Sequence, residues 1–141
     1  MADDISDFAR SMGIATSGLR AQAGRMRVIS ENIANADSTA STPGADPYRR
    51  KVPTFVSQLD RALDARTVAM GKIARDNSSF RTRYEPSNPA ADQNGYVKYP
   101  NVNPLIEMTD MREAQRSYEA NLNIIGATRR MIQRTLDILK S

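Results

Sequence analysis

The chain has 141 residues and a formal net charge of +4, and it contains no Cys, His or Trp. The absence of Cys excludes disulfide frameworks, cysteine nucleophiles and thiolate metal sites, and the absence of His excludes every histidine-based triad. Paired carboxylates or a Ser with a Lys base are the remaining routes to an active site. The sequence has no local motif for either, so we do not expect an enzyme.

Charge is distributed unevenly along the chain. Residues 40–104 hold ten bases and six acids, whereas the segments on either side are close to neutral. The N-terminus reads Met-Ala-Asp-Asp, which is acidic where a secretory signal needs positive charge. No apolar stretch approaches the roughly 20 residues of a membrane span. We therefore expect neither a cleaved signal peptide nor a transmembrane segment.

Apolar residues recur at alternating steps of three and four near the N-terminus. Eight of nine positions are apolar on the first seam, which consists of Ile5, Phe8, Met12, Ala15, Leu19, Gln22, Met26, Ile29 and Ile33. This heptad spacing predicts a helix over 5–35 that pairs as a coiled coil. Asp3 and Asp4 are candidate N-caps. Turn-forming residues at 35–39 end the pattern.

Small residues interrupt the same helix. Gly13, Gly18 and Gly24 each cost about 1 kcal/mol relative to Ala, so we expect the isolated helix to be weak and to need a partner. A stripe of small residues at steps of four is formed by Ala9, Gly13, Ser17 and Ala21. The stripe predicts a face to which another helix backbone approaches closely.

The C-terminal region repeats this arrangement. Asn103 is a candidate N-cap, Pro104 suits the first helical position, and Glu107 and Asp110 place acids near the positive end of the helix dipole. A second seam predicts a helix over 104–141 and consists of Met108, Met111, Gln115, Tyr118, Leu122, Ile125, Arg129, Ile132, Leu136 and Leu139. The polar seam members are Gln22, Gln115 and Arg129. They either lie at solvent-exposed edges of the seam or fix the register or oligomeric state of the paired helices.

Residues 37–103 have a different composition, with six of the seven prolines and six of the eight aromatic residues. Short strands or extended pieces are predicted at 48–56, 67–74, 80–84 and 96–99, because Gly, Pro and Asn separate these segments. The predicted fold is mainly α, with long N- and C-terminal heptad helices and a small β-containing, loop-rich middle. The helices at 1–36 and 104–141 form the predicted coiled-coil domain.

The two seams fit either the core of an antiparallel helical hairpin or a surface that is completed when many copies assemble. The helix lengths and the small-residue stripe favour assembly, because a two-helix pair would leave the stripe exposed to water.

A basic tract in the middle suggests a rival function. It lies beside aromatic residues, indicates a polyanion-binding module over 48–84, and consists of Arg49, Arg50, Lys51, Arg81 and Arg83. Interspersed acids dilute its field, which favours a solvated strand face instead. An enzyme is a further rival, and it would need a convergent acid pair in a cleft.

Several short motifs follow each other in order along essentially the whole chain. The first helix ends in the letters SENIANADST at 30–39, and Gly-Tyr-Val at 95–97 and Glu-Met-Thr-Asp-Met at 107–111 follow later. The motif positions are Asn32, Ala34, Asn35, Pro47, Tyr48, Arg49, Arg50, Asn101, Asn103, Tyr118 and Asn121. Together these motifs resemble the bacterial flagellar rod and hook protein family, and the middle motifs narrow the resemblance to subunits of the proximal rod.

The resemblance implies a structural subunit of the drive shaft that transmits torque from motor to hook. Such proteins are exported unfolded through the flagellar type III apparatus without signal cleavage and lie in the periplasmic rod of the basal body. Their terminal helices pair near the axis of a helical tube of copies and other rod proteins, while the middle forms a small outer element. No cofactor, metal or nucleic acid is implied, and contact with ring proteins or peptidoglycan stays open.

Overall fold

Two long helices dominate the computed structural model, which describes residues 2–140, with side chains from residue 5 onward. Helix α1 runs Ala2–Ala34 and α2 runs Pro104–Lys140, which confirms both predicted helices. The predicted capping by Asp3 and Asp4 lies outside the described side chains. Asn103 is the N-cap of α2, because its Oδ1 accepts a hydrogen bond from Leu105 N at 3.1 Å.

Six strands lie between the helices in the described part of the chain: β1 Lys51–Val52, β2 Phe55–Asp60, β3 Ala65–Met70, β4 Ala74–Arg75, β5 Arg81–Tyr84 and β6 Tyr96–Tyr99. They form three two-stranded antiparallel sheets, which pair β1 with β4, β2 with β3 and β5 with β6. The small β-containing middle is therefore confirmed. Its longest hairpin is β2–β3, which turns at Asp64 with a left-handed φ of 46°.

The chain forms two compact units, and each helix contributes to both. Unit 1 contains α1 up to Met26, the segment Thr54–Lys72 and α2 from Glu113 onward, and unit 2 contains Arg27–Pro53 and Ile73–Arg112. The predicted division of the chain at residues 36 and 103 follows chain order and stays a prediction.

The two units bury different kinds of side chain. The core of unit 2 contains large aliphatic residues that are at most 3% exposed, namely Val28, Ile29, Val97 and Val102. The buried positions of unit 1 are all small, namely Ala15, Ala21, Ala65, Ala114 and Thr128. The large apolar side chains of unit 1 are half-buried or exposed, and the exposed ones are Ile5, Ile14, Phe55, Val56, Leu59, Leu122, Ile124, Met131, Leu136, Ile138 and Leu139.

Within unit 1, α1 and α2 lie side by side and run in opposite directions. Arg25 contacts Glu113 at 3.6 Å, and a Cβ added to Gly18 would lie 2.8 Å from Asn121 Nδ2. At the other end, a groove of about 220 Å³ is lined by Ile5, Phe8, Ala9 and Met12 of α1 and by Ile132, Thr135, Leu136 and Leu139 of α2. These contacts establish a helix pair, whereas its coiled-coil geometry stays a prediction.

The small-residue stripe of α1 is covered by the β2–β3 hairpin at Gly13 and Ser17, where the sequence predicted another helix. The hairpin shields this part of the stripe from water, so the stripe does not by itself favour assembly. Ser17 Oγ accepts a hydrogen bond from Val68 N at 3.3 Å. Leu63 lies against Gly13, and a Cβ on Gly24 would lie 2.6 Å from Met70 Sδ. A two-stranded hairpin needs the same close backbone approach as a helix, so the stripe alone does not distinguish the two partners. Over their described residues, neither helix is long and apolar enough to cross a membrane.

Candidate functional site

The side chain of Asn32 is the centre of a buried polar network in unit 2. Asn32 is 0% exposed, and its Nδ2 donates to Lys51 O at 2.8 Å and to Glu107 Oε2 at 3.1 Å. Its Oδ1 accepts from Lys51 N at 2.9 Å and from the Tyr48 hydroxyl at 2.8 Å. Asn32 therefore pairs with the Lys51 backbone as a neighbouring strand would. Both donors and both acceptor sites of its amide are used.

Arg50 extends the network toward three carboxylates. Its Nε donates to Oε1 of Glu107, which is 1% exposed, at 2.5 Å, and the guanidinium also lies 3.6 Å from Asp76 and 3.8 Å from Asp110. The backbone N of Arg50 donates to Asn101 Oδ1 at 2.8 Å, and Asn101 Nδ2 donates to Asp76 O at 3.0 Å. The network thus joins the end of α1, the strand segment at 48–51, the loop after β4 and the start of α2.

Burial and charge in this network shift three pKa values. Burial, followed by the charges of Glu31 and Glu107, raises the pKa of Tyr48 to about 12. Burial alone would lower the pKa of Arg50, but its hydrogen bond to Glu107 and the surrounding carboxylates raise it on balance. The Ser78 N–H and hydroxyl, followed by Arg50, lower the pKa of Asp76. Each shift favours the form that the contacts need at neutral pH, which is a protonated phenol on Tyr48, a charged guanidinium on Arg50 and an ionised carboxylate on Asp76.

Seven motif positions take part in this network or border it. Asn32, Tyr48, Arg50 and Asn101 belong to it. Arg49 donates to the Asp76 carbonyl, Asn103 caps the helix that carries Glu107, and Pro47 is half-buried beside Tyr48. The others lie elsewhere.

The remaining motif positions have local contacts. Asn35 closes the end of α1 by donating from Nδ2 to Glu31 O at 2.8 Å, whereas Ala34 is exposed. Tyr118 and Asn121 belong to unit 1, so the structure does not gather the complete motif set into one site.

Sequence reasoning missed the part that Glu107 and Asp76 play. We assigned Glu107 to the helix dipole, although it is almost completely buried and bonded to both Asn32 and Arg50. A signal for this was available, because small or polar residues follow it every seven positions at Ala114, Asn121 and Thr128. Asp76 carries no comparable sequence signal, because its partner in the network, Arg50, is distant in the chain and its bond to Ser78 N is a local turn.

The predicted seam residues differ widely in exposure. Ile29 is buried. Half-buried members are Phe8, Met12, Leu19, Met26, Ile33, Met111, Tyr118, Ile125 and Ile132. Exposed members are Ile5, Met108, Leu122, Leu136 and Leu139. The buried residues of α2, Glu107, Ala114 and Thr128, are spaced at multiples of seven, and each stands one residue before a member of the predicted seam. The assignment of the seam as an assembly surface stays a prediction.

The basic tract is largely consumed by internal contacts. Arg49 lies 4.2 Å from the Phe80 ring centroid and donates to two backbone carbonyls, and Lys51 pairs with Glu31. Arg50 pairs with the carboxylates described above. Arg81 donates to Ala36 O at 2.9 Å, and Arg83 lies over Tyr99. The tract is therefore not simply the solvated strand face that the sequence favoured, because most of its bases contact groups within the chain, and these contacts leave little charge for a polyanion.

A cleft of about 420 Å³ beside the network contains two acids, Glu31 and Asp46. Each is paired with a lysine, Glu31 with Lys51 and Asp46 with Lys98 at 2.9 Å. The two carboxylates are therefore neutralised separately, and the cleft does not present the convergent acid pair that the enzyme hypothesis needs.

Replacing Asn32 tests the centre of the network. We expect Asn32→Ala to lower the free energy of unfolding by about 2–3 kcal/mol, because Lys51 N–H, the Tyr48 hydroxyl and Glu107 all lose a buried partner. Asn35→Ala is the matched control and should cost about 1 kcal/mol or less. Urea unfolding followed by tyrosine fluorescence measures both, since four of the five tyrosines lie in unit 2. Equal losses would contradict a special role for Asn32.

The raised pKa of Tyr48 predicts a loss of stability in alkali. The folded state holds this phenol proton up to pH about 12, whereas the unfolded chain releases it near the ordinary value of 10.0. The stabilising contribution is therefore complete below pH 10 and is lost as the pH rises to about 12. Urea unfolding at successive pH values should show a shallower decline for Tyr48→Phe over this interval. An unchanged decline would contradict the assignment.

Comparisons with known proteins agree with the motif order. Residues 12–45 match the family model described as "Flagella basal body rod protein", and residues 93–138 match "Flagellar basal body rod FlgEFG protein C-terminal". The flagellar basal-body rod protein FlgC of Agrobacterium fabrum is 57% identical over 128 residues, which cover 91% of this chain and 92% of that protein.

More distant relatives span the chain equally well. FlgC of Bacillus subtilis is 39% identical over 145 residues, covering 92% of this chain and 97% of the relative. FlgC of Salmonella typhimurium is 40% identical over 127 residues, covering 89% and 92%. The chain therefore belongs to the family of flagellar basal-body rod proteins FlgC, which is a family of structural basal-body proteins and not an enzyme family.

Proposed function

We propose that this rod protein is a subunit of the proximal rod in the periplasm, and that it assembles with copies of itself and with other rod proteins through the apolar flanks of α1 and α2. The observation that carries the proposal is the burial pattern of unit 1. Its fully buried positions are alanines and one threonine, whereas its large apolar side chains are half-buried or exposed. Exposed apolar area of this kind is typical of a surface that a partner covers.

Helical geometry places apolar flanks on both sides of the row that α2 turns inward. Counted from Asn121 in the inward row, Leu122 is one residue further along and Ile124 three, which puts them on opposite sides of that row. Leu122 is 47% exposed and Ile124 45%. The helix pair covers the small central row and leaves a flank on either side. A neighbouring subunit can therefore pack on each flank at the same time.

Many such contacts suit a shaft that carries torque. An open tube grows by contacts between different surfaces, and no single pair of residues bears the whole force. The network around Asn32 supports this function indirectly, because it ties the end of α1 to the start of α2 within unit 2. Coiled-coil pairing of the terminal helices in the assembled tube belongs to this proposal.

The proposal extends to export through the flagellar type III apparatus in an unfolded state and without signal cleavage, as the family resemblance implies. Three glycines weaken α1, and unit 1 buries little beyond small side chains, so its helices order fully on joining neighbours. Circular dichroism of the purified chain tests whether the helices order on assembly, and we expect incomplete helicity in the free chain. Complete helicity with cooperative melting in the free chain would contradict ordering on assembly.

The exposed flank of α2 is tested with a charge. We expect Leu122→Asp to reduce incorporation into basal bodies by about tenfold or more, because the carboxylate would have to be buried without a partner in the assembled rod. Asn123→Asp adds the same charge one residue further along, outside the flank, and should leave incorporation unchanged. Quantification of the chain in purified basal bodies measures both variants.

Leu122 is better suited to this test than Ile29, which is 2% exposed and whose replacement would damage the core of unit 2. Normal incorporation and swimming of the Leu122→Asp strain would overturn the assignment of this flank as an assembly surface.

A further inference from the structure

Strand β2 pairs with β3 along one edge, and no other strand of the described residues pairs with its second edge, which we call the free edge. In the ladder of β2 and β3, Phe55 lies opposite Met70, and the pairing continues without a break to Asp60, which lies opposite Ala65. Just beyond the strands, Gly71 N donates to Thr54 O at 2.7 Å, so residues 54 and 71 form a hydrogen-bonded pair. Because such pairs alternate in an antiparallel ladder, residues 56, 58 and 60 face β3, and Phe55, Ser57 and Leu59 direct their backbone groups outward.

The outer edge of β3 provides an independent check of this alternation. Val68 lies opposite Ser57, so its N–H should point away from β2. That N–H donates to Ser17 Oγ on α1 at 3.3 Å. The α1 side of the hairpin is therefore covered, whereas the N–H and C=O groups of residues 55, 57 and 59 have no hydrogen-bond partner among the described residues.

The free edge also lacks the usual protection against pairing. Phe55 is 41% exposed, Val56 42% and Leu59 61%. Residues 54–59 contain no charge and no proline, and the register runs without a bulge. Exposed edge strands normally carry lysine, proline or a bulge for this purpose. An apolar, uncharged and regular edge is instead typical of a strand that receives another strand.

We propose that the free edge of β2 binds an extended segment of a neighbouring rod subunit, which adds a third strand to the β2–β3 hairpin. The backbone groups at alternate residues require an extended partner of about five residues. Phe55 and Leu59 are exposed along this edge, so apolar or β-branched side chains on the partner would cover them, whereas the charges nearby, Asp60 and Arg66, lie at the turn end of the hairpin. The inference rests on the proposed assembly with neighbouring subunits.

The docked strand is not β2 of a second copy. Two identical edges pair antiparallel about a two-fold axis, which closes the contact after two molecules. A tube that grows in one direction uses contacts between different surfaces, so the occupant comes from another segment. Pairing of β2 with β2 is consequently an outcome that would contradict the proposal.

Replacements at Ser57 test the edge while keeping the hairpin ladder. Ser57→Pro removes an outward N–H and blocks the approach of a strand, yet proline is tolerated on the free side of an edge strand. Ser57→Ala is the matched control, because it changes the side chain and keeps the backbone donor. We expect Ser57→Pro to reduce incorporation into basal bodies by about tenfold and Ser57→Ala to incorporate normally. Equal incorporation of the two variants would overturn the proposal.

A cross-linking experiment covers the case in which Ser57→Pro disturbs the hairpin. Because the chain has no cysteine, Ser57→Cys introduces a single thiol that can carry a short photo-activated cross-linker in intact basal bodies. We expect mass spectrometry to find the cross-link in an extended segment of a neighbouring rod subunit. Cross-links to a helix, to residues 55–59 of a second copy, or only within the same chain would overturn the proposal.

The edge and the helix flanks can fail separately. If Leu122→Asp is incorporated normally and Ser57→Pro is not, the helix flank is overturned as an assembly surface and the strand-binding edge of β2 is supported. The reverse pattern would support the flank and overturn the edge.

Discussion

The hydrogen bonding of one buried amide, that of Asn32, fixes the arrangement of unit 2. Its two bonds to the Lys51 backbone hold an extended segment against the end of α1, which directs Arg50 toward Glu107. An aspartate would place a carboxylate oxygen against Glu107 and the Lys51 carbonyl, and a leucine would satisfy no partner. Only a side chain with both a donor group and an acceptor group fits this position.

The same network explains the basic excess of the middle segment. Arg50 is surrounded by Glu107, Asp76 and Asp110, and Lys51 pairs with Glu31. Two of these acids, Glu107 and Asp110, lie on α2 and another on α1, so the bases of the middle neutralise acids supplied by the helices. A charge count by segment suggested a cationic surface, whereas the folded chain uses this charge to join segments that are far apart in sequence.

Local patterns predicted the elements better than their partners. Heptad spacing located both helices, and Asn103 with Pro104 marked the start of α2, because these signals act within one or two turns. The hairpin on the α1 stripe was not predictable, since small residues admit any close backbone. The role of Glu107 also escaped prediction: apolar spacing identifies a seam by its large residues, while the closest contacts of α2 involve small and polar ones.

This preference for small residues at the helix contact has a structural consequence. Helices that meet through alanine, glycine and threonine bury little apolar area, so the pair gains little stability from this row and leaves most of its leucines and isoleucines exposed. Large residues in the central row would bury more apolar area inside unit 1 and push the helices apart. Weak internal packing and outward apolar surface are therefore one property, and it is the basis for proposing that unit 1 packs against neighbouring subunits.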